Sequence, residues 1–206
     1  MDKCIMFFNQ KSKYSIKGEQ QTHRLKRIFI ASLFGSIIFV VNVFLPPPIN
    51  YMFIALQAVL LALSGLFIKN VGATYAGAVG GLLTALGSPG LGLFTFIASV
   101  LFGALVDIAL FVFKIKGSFD GVNRNRLIAA MAVSTMLIGV ITYSASVIAP
   151  EYVFIQAGLP NMTLIIQRSL VLDVMVMFMG PATGATAGYA AAYLWNRYLK
   201  SIALTF

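Results

Sequence analysis

Few side chains in this chain are equipped for chemistry. It holds six acidic residues in all, and Asp2, Glu19 and Asp120 stand in polar stretches. His23 is the only histidine and Cys4 the only cysteine, so neither a structural metal site nor an internal disulfide is expected. A Gly-rich Walker loop is absent, and the chain is not expected to hydrolyse ATP itself. A His-Glu-x-x-His pair, a Gly-x-Ser-x-Gly elbow and an acidic pair spaced for metal-assisted chemistry are absent too. The residues therefore favour recognition over turnover: no catalytic residue, cofactor or metal is expected.

The ionisable groups in or beside apolar runs matter most, because each costs about 2.5–3.5 kcal/mol at the centre of a membrane helix. Asp107 stands seven residues before Lys114, roughly 10 Å as helix, which suits an ion pair or a partner contact near one membrane face. Asp173 lies roughly 40 Å from Lys200, at the opposite face, and Arg168 lies beyond it. Five residues apart, the two diverge by about 140° around a helix and are not a pair. They read either as interfacial anchors or as pocket groups, Arg168 for an anionic or carbonyl group and Asp173 for a cationic one. At the same depth stand Gln57, Asn42, Tyr143, Thr142, Ser146 and Gln167. Together they predict a small-molecule site with apolar walls and a few convergent polar groups: Arg168, Asp173 and Gln57 first, then Asn42 and Tyr143. The third and fourth apolar segments add little beyond Thr84 and Thr95.

The elements that position these groups follow from composition. Of 206 residues 59% are hydrophobic and 10% charged, and mean hydropathy is +0.90. Lipid is the natural solvent for such a chain. Six apolar segments run at about 28–45, 51–68, 71–86, 91–113, 127–149 and a last one ending near 199. They are continuously apolar rather than alternating, which predicts helices and not a barrel. The expected architecture is all-α, a polytopic membrane protein with six transmembrane helices. It divides into a basic N-terminal segment (1–27), one transmembrane domain (28–200) and a short tail (201–206).

Net charge is +9, but the cations sit in short clusters between apolar runs, which excludes a nucleic-acid surface. Lys26 and Arg27 precede the first segment, Lys69 follows the second, Lys114 and Arg126 flank the loop after the fourth, and Arg197 and Lys200 follow the sixth. With six crossings all fall on one side, predicting N-in and C-in topology in the cell membrane, with Arg168 the exception. The segment from Met162 to Leu199 would be roughly 55 Å of helix, too long for one crossing. Splitting it at Gly180–Pro181 would put Arg197 and Lys200 outside, so one helix kinked near Pro181 is preferred.

Small residues recur every fourth position: Ala31 with Gly35, Gly72 with Ala76 and Gly80, and Gly180 with Gly184, Gly188 and Ala192. Such rows let another backbone approach closely, either within the bundle or on another membrane subunit.

The proline-bearing loop 45–48, the Gly-rich run 71–83 and the stretch Phe102-Gly103-Ala104-Leu105-Val106-Asp107 resemble the substrate-binding (S) components of energy-coupling factor transporters. The likeness extends from about Arg27 to the C-terminus. It implies a six-helix, N-in, non-enzymatic subunit that captures a vitamin or related micronutrient from outside, then topples against a transmembrane coupling subunit driven by two ATPase subunits. Ala31, Gly35, Ala76 and Gly80 match the family's Ala-x-x-x-Ala contacts with that partner, with Gly at the second position of each row. Two other readings stay open. One is a membrane enzyme acting on lipids or isoprenoids through Asp107, Asp120 and the basic loop. The other is an autonomous secondary carrier.

Overall fold

The computed structural model describes residues 28–44, 54–68, 71–87, 92–115, 117, 121–148 and 170–203, with the backbone alone at 92, 146–148, 170–173, 175–176 and 202–203. The described residues are helical with short connections, and none lies in a strand. Helices α1 (Ile28–Phe44), α2 (Ile54–Phe67), α3 (Gly72–Gly87), α4 (Gly92–Val112), α5 (Arg124–Ile148) and α6 (Leu170–Leu194) account for most of them. Two are long and apolar enough to cross a bilayer over Leu93–Val112 and Arg124–Ala145, while Ile28–Phe44 and Ile54–Phe67 are shorter apolar helices.

α2 has apolar residues on every side, so it has to be enclosed. Ala58 to Ser64 are all buried, almost two full turns of helix. α2 packs against α3, α4, α5 and α6, and Phe67 at its end meets Phe34 of α1 with ring centroids 6.2 Å apart. The other five helices form an arc in the order α1–α3–α4–α5–α6, with α2 on its inner side.

Small residues set the spacing of that arc. A Cβ built on Gly35 of α1 would lie 2.8 Å from Val79 of α3, and one on Gly80 would lie 3.0 Å from the Gly35 carbonyl. The opposite side of α3 meets α4, where a Cβ on Gly81 would lie 2.8 Å from the Ser99 side chain. On α6, Gly180, Gly184 and Gly188 descend α5 past Met136, Met131 and Ile128 in turn, so the two helices are antiparallel. Close backbone approach of this kind supplies dispersion contacts along each seam. The rows of small residues therefore act within this chain.

α6 runs unbroken through Pro181, as one helix rather than two. It continues into a π-helical turn, Trp195–Leu199, closed by the Lys200 N–H donating to the Trp195 carbonyl, and then into a short α-helical end, Lys200–Ala203. Trp195 is buried with its ring 5.0 Å from that of Phe67, which pins the end of α6 to the end of α2. The next residue, Asn196, clasps the loop before α5: its Oδ1 accepts from the Val122 N–H at 2.8 Å, and its Nδ2 donates to the Val122 carbonyl at 3.0 Å.

Asp107 has a structural role among the described residues. Its carboxylate accepts from the N–H groups of Ala73 (3.1 Å) and Thr74 (2.8 Å) and from the Thr74 hydroxyl (2.6 Å). It caps α3 from a neighbouring helix, satisfying orphan donors of the first turn where an anion is favoured. Ser64 of α2 donates to the Gly72 carbonyl at 2.7 Å beside it, so three helices are tied at one point.

Candidate functional site

A cavity of about 600 Å³ opens between α1, α2, α4, α5 and α6. It lies in one half of the bundle: near the end of α1 at Asn42, the start of α2 at Ile54 and Gln57, and the first turns of α4. All five described Lys and Arg residues (Lys114, Arg124, Arg126, Arg197 and Lys200) lie at the opposite helix ends. Among the described residues, then, the cations are confined to one set of helix ends.

Helical periodicity places the lining groups. Thr95, Ser99 and Phe102 on α4 are spaced i, i+4, i+7 and share one face, as do Thr135, Gly139 and Thr142 on α5. α6 contributes Met179, Gly180 and Thr183 around Pro181. Gly180 is there because α6 has to approach α5: its Cβ would stand 3.2 Å from Met136 Cα. Thr135 seals that contact across the helices, its hydroxyl lying 2.8 Å from the Gly180 carbonyl and 2.8 Å from the Met131 carbonyl of its own turn.

Most of these hydroxyls are already engaged. Thr142 bonds the Ile138 carbonyl at 2.8 Å and Thr183 the Gly180 carbonyl at 2.8 Å, so each donor is turned back into its own helix. What they offer a guest is acceptor capacity. Gln57 differs: it is half-buried in the wall, and its amide has no protein partner among the described residues. Ser99, buried on the facing helix, likewise keeps its hydroxyl free of a partner among the described residues. An amide offers two donors and a carbonyl, and Ser99 adds a hydroxyl, within walls dominated by Ile54, Phe102, Ile138 and Met179. The described lining carries no charged side chain. These groups suit an organic molecule with a polar edge and an apolar body; the volume is in the range of about 300–1,000 Å³ usual for ligand pockets.

Of the residues expected at the site, Asn42 and Gln57 line the cavity, as does Thr142. Tyr143, half-buried and one position further along α5, does not line it. Arg168 lies outside the described residues; Asp173 belongs to α6, but its side chain lies outside the description. The expectation that α4 contributes little is corrected, because Ser99 and Phe102 form much of one wall. The repeat of polar and aromatic residues at i, i+4, i+7 was the available signal. Thr84, by contrast, bonds the Gly80 carbonyl at 2.8 Å within α3 and takes no part in the cavity.

Ala31, Gly35, Ala76 and Gly80 are buried where α1 meets α3. Leu33 and Ile37 on α1 and Tyr75 and Leu82 on α3 are exposed beside that seam.

Comparison with protein-family models, with curated proteins and with solved structures gives no match.

Proposed function

We propose that this chain is the membrane-embedded substrate-binding subunit of an ATP-driven, energy-coupling-factor-type importer, and that its cavity receives a vitamin-like organic micronutrient. The observation that carries the reading is Gln57: a half-buried amide without a partner among the described residues, facing a largely apolar cavity remote from the basic helix ends. A free amide in such a wall costs stability unless something binds it, and a guest with a polar edge is the natural complement.

Six crossings, N-in and C-in, in the plasma membrane, are part of the proposal. The antiparallel course of α5 and α6 supports it, as does the parallel course of α1 and α3, along which Gly35 meets Val79 and Gly87 meets Phe39. The clustering of described cations at one set of helix ends supports the orientation. Motion would come from outside: a transmembrane coupling subunit and two ATPase subunits. The small rows being engaged between α1 and α3, the coupling subunit would meet the exposed side chains beside them, Leu33, Ile37, Tyr75 and Leu82.

A lipid-modifying enzyme would need Asp107 as an acid or metal ligand. The three hydrogen bonds that hold its carboxylate on the α3 terminus weigh in favour of binding over catalysis. The test is reconstitution. The purified chain in proteoliposomes should bind small molecules without transporting them, and uptake should appear only with coupling and ATPase subunits. Transport by the chain alone would establish a secondary carrier, and turnover of a lipid substrate an enzyme.

A further inference from the structure

At the opposite end from the cavity, α5 begins beside the π-helical turn of α6, and between them lies a cleft of about 520 Å³. Arg124, Arg197 and Lys200 line it, with Tyr189, Tyr193 and Asn196. Among the described residues the lining holds no acidic side chain, and neither guanidinium meets a carboxylate.

Aromatic rings hold the arginines instead. The Arg124 guanidinium carbon stands 5.5 Å from the centroid of the Tyr189 ring, and that of Arg197 stands 5.7 Å from Tyr193 and 5.8 Å from Tyr198. A cation over a ring face is oriented, but its charge is not neutralised, and its N–H edges remain available. The backbone is held as well: Asn196 uses its amide on Val122, which fixes the π-turn against the start of α5. Arg124 is also the first residue of α5, where the helix dipole adds positive potential. The ordinary reading of such residues is scattered interfacial charge. Here three cations converge on one concavity between two helix ends, and two of them are already posed.

We propose that this cleft is a binding site for a phosphate-bearing anion, the two arginines supplying forked donors and Lys200 a third charge. The proposal rests on the reading of the chain as a membrane protein, and is independent of what fills the cavity at the other end. At a membrane face the nearest source of that chemistry is the headgroup of an anionic lipid, for which basic pockets between helix ends are suited. A free phosphate is the other source.

The wild-type chain, Arg197→Gln, the triple variant Arg124→Gln/Arg197→Gln/Lys200→Gln and Arg126→Gln would each be placed in nanodiscs of phosphatidylcholine with phosphatidylglycerol. Retained lipid is then counted by native mass spectrometry. Arg126 is exposed on the same helix end but does not line the cleft, so it reports on charge without position. Wild type and Arg126→Gln should retain one anionic lipid through delipidation, Arg197→Gln should hold it at least tenfold more weakly, and the triple variant should not hold it. A second arm titrates inorganic pyrophosphate into detergent-solubilised protein. Saturable binding there that is lost in the triple variant, with no lipid retained in nanodiscs, assigns the site to soluble phosphate. Equal losses in Arg126→Gln and Arg197→Gln, or no anion held by wild type in either arm, overturn the proposal. Should the triple variant not fold, the single-variant comparison decides.

Discussion

Asp107 on α4 accepts hydrogen bonds from both the backbone N–H and the hydroxyl of Thr74, 33 residues earlier, at 2.8 and 2.6 Å. The pair makes a helix cap out of a tertiary contact: the terminus of α3 is closed by a different helix, so α3 cannot shift against α4 without exposing its own donors. Gly65 of α2 lets this happen, since a Cβ there would stand 3.3 Å from an Asp107 oxygen and still closer to Leu110.

Replacing that carboxylate is therefore expected to act on stability and not on recognition. Asp107→Ala should lose about 2–6 kcal/mol, because it leaves the Ala73 and Thr74 N–H groups buried without an acceptor at about 1–3 kcal/mol each. Thr74→Val should lose about 1 kcal/mol. Thermal unfolding in detergent measures both, and the folded fraction should retain ligand as wild type does. Ligand loss from folded Asp107→Ala protein would move this residue into the site.

The seam between α5 and α6 should tolerate no added volume. A Cβ at Gly188 would stand 2.8 Å from Ile128 Cα, a backbone atom that cannot rotate away. Gly188→Ala is expected to cost about 1–3 kcal/mol through overpacking. Ala182→Leu, on an exposed face of the same helix, should stay within about 0.5 kcal/mol of wild type. Midpoints of thermal unfolding for the two variants give the comparison.

What the sequence made legible was whatever depends on one helix at a time. Continuous apolar runs gave the helices, and the length of the last one, weighed against the charge at Arg197, argued for an unbroken passage through Pro181. The rows Ala31/Gly35 and Ala76/Gly80 were readable as close-approach surfaces, but what approaches them depends on neighbours, and here they approach each other. Gln57 and Asn42 were found because depth is linear in residue number. Ser99 and Phe102 were missed because a half-polar stripe on an apolar helix acquires meaning only when α5 and α6 face it. Asp107 is readable as half of an ion pair or as a partner contact, but the backbone N–H groups of Ala73 and Thr74 that it caps leave no mark in composition.

Asn196 supplies a test of the other end. Its two bonds to Val122 hold the loop before α5, in which Gly121 takes a φ of 99° open to glycine but strained for other residues. Asn196→Leu should cost about 1–3 kcal/mol by leaving Val122 partly unsatisfied. Hydrogen exchange at the Val122 amide should quicken; unaltered protection would show that the clasp is dispensable.

A gain of stability is expected at Lys114. Its φ of 52° closes α4, with the Ile115 N–H bonded to the Leu110 carbonyl at 2.9 Å and the Lys114 N–H to the Phe111 carbonyl at 3.0 Å. This is the position where helices usually carry glycine. Relief of the left-handed strain, about 1–2 kcal/mol, outweighs the loss of a cation near the helix end, about 0.3–1 kcal/mol. Lys114→Gly should therefore stabilise the chain by about 0.5 kcal/mol, read as a raised unfolding midpoint.

The most direct test of the account asks whether the cavity holds a guest. Gly139 lines it, and Gly139→Phe would fill much of the space between α4 and α5. Native mass spectrometry of protein purified from its own cells should show wild type carrying one small organic molecule, Gln57→Ala carrying it at sharply reduced occupancy, and Gly139→Phe carrying none while remaining folded. A wild-type mass equal to the bare chain under gentle extraction, or the same adduct undiminished in folded Gly139→Phe, would contradict a binding role for this cavity.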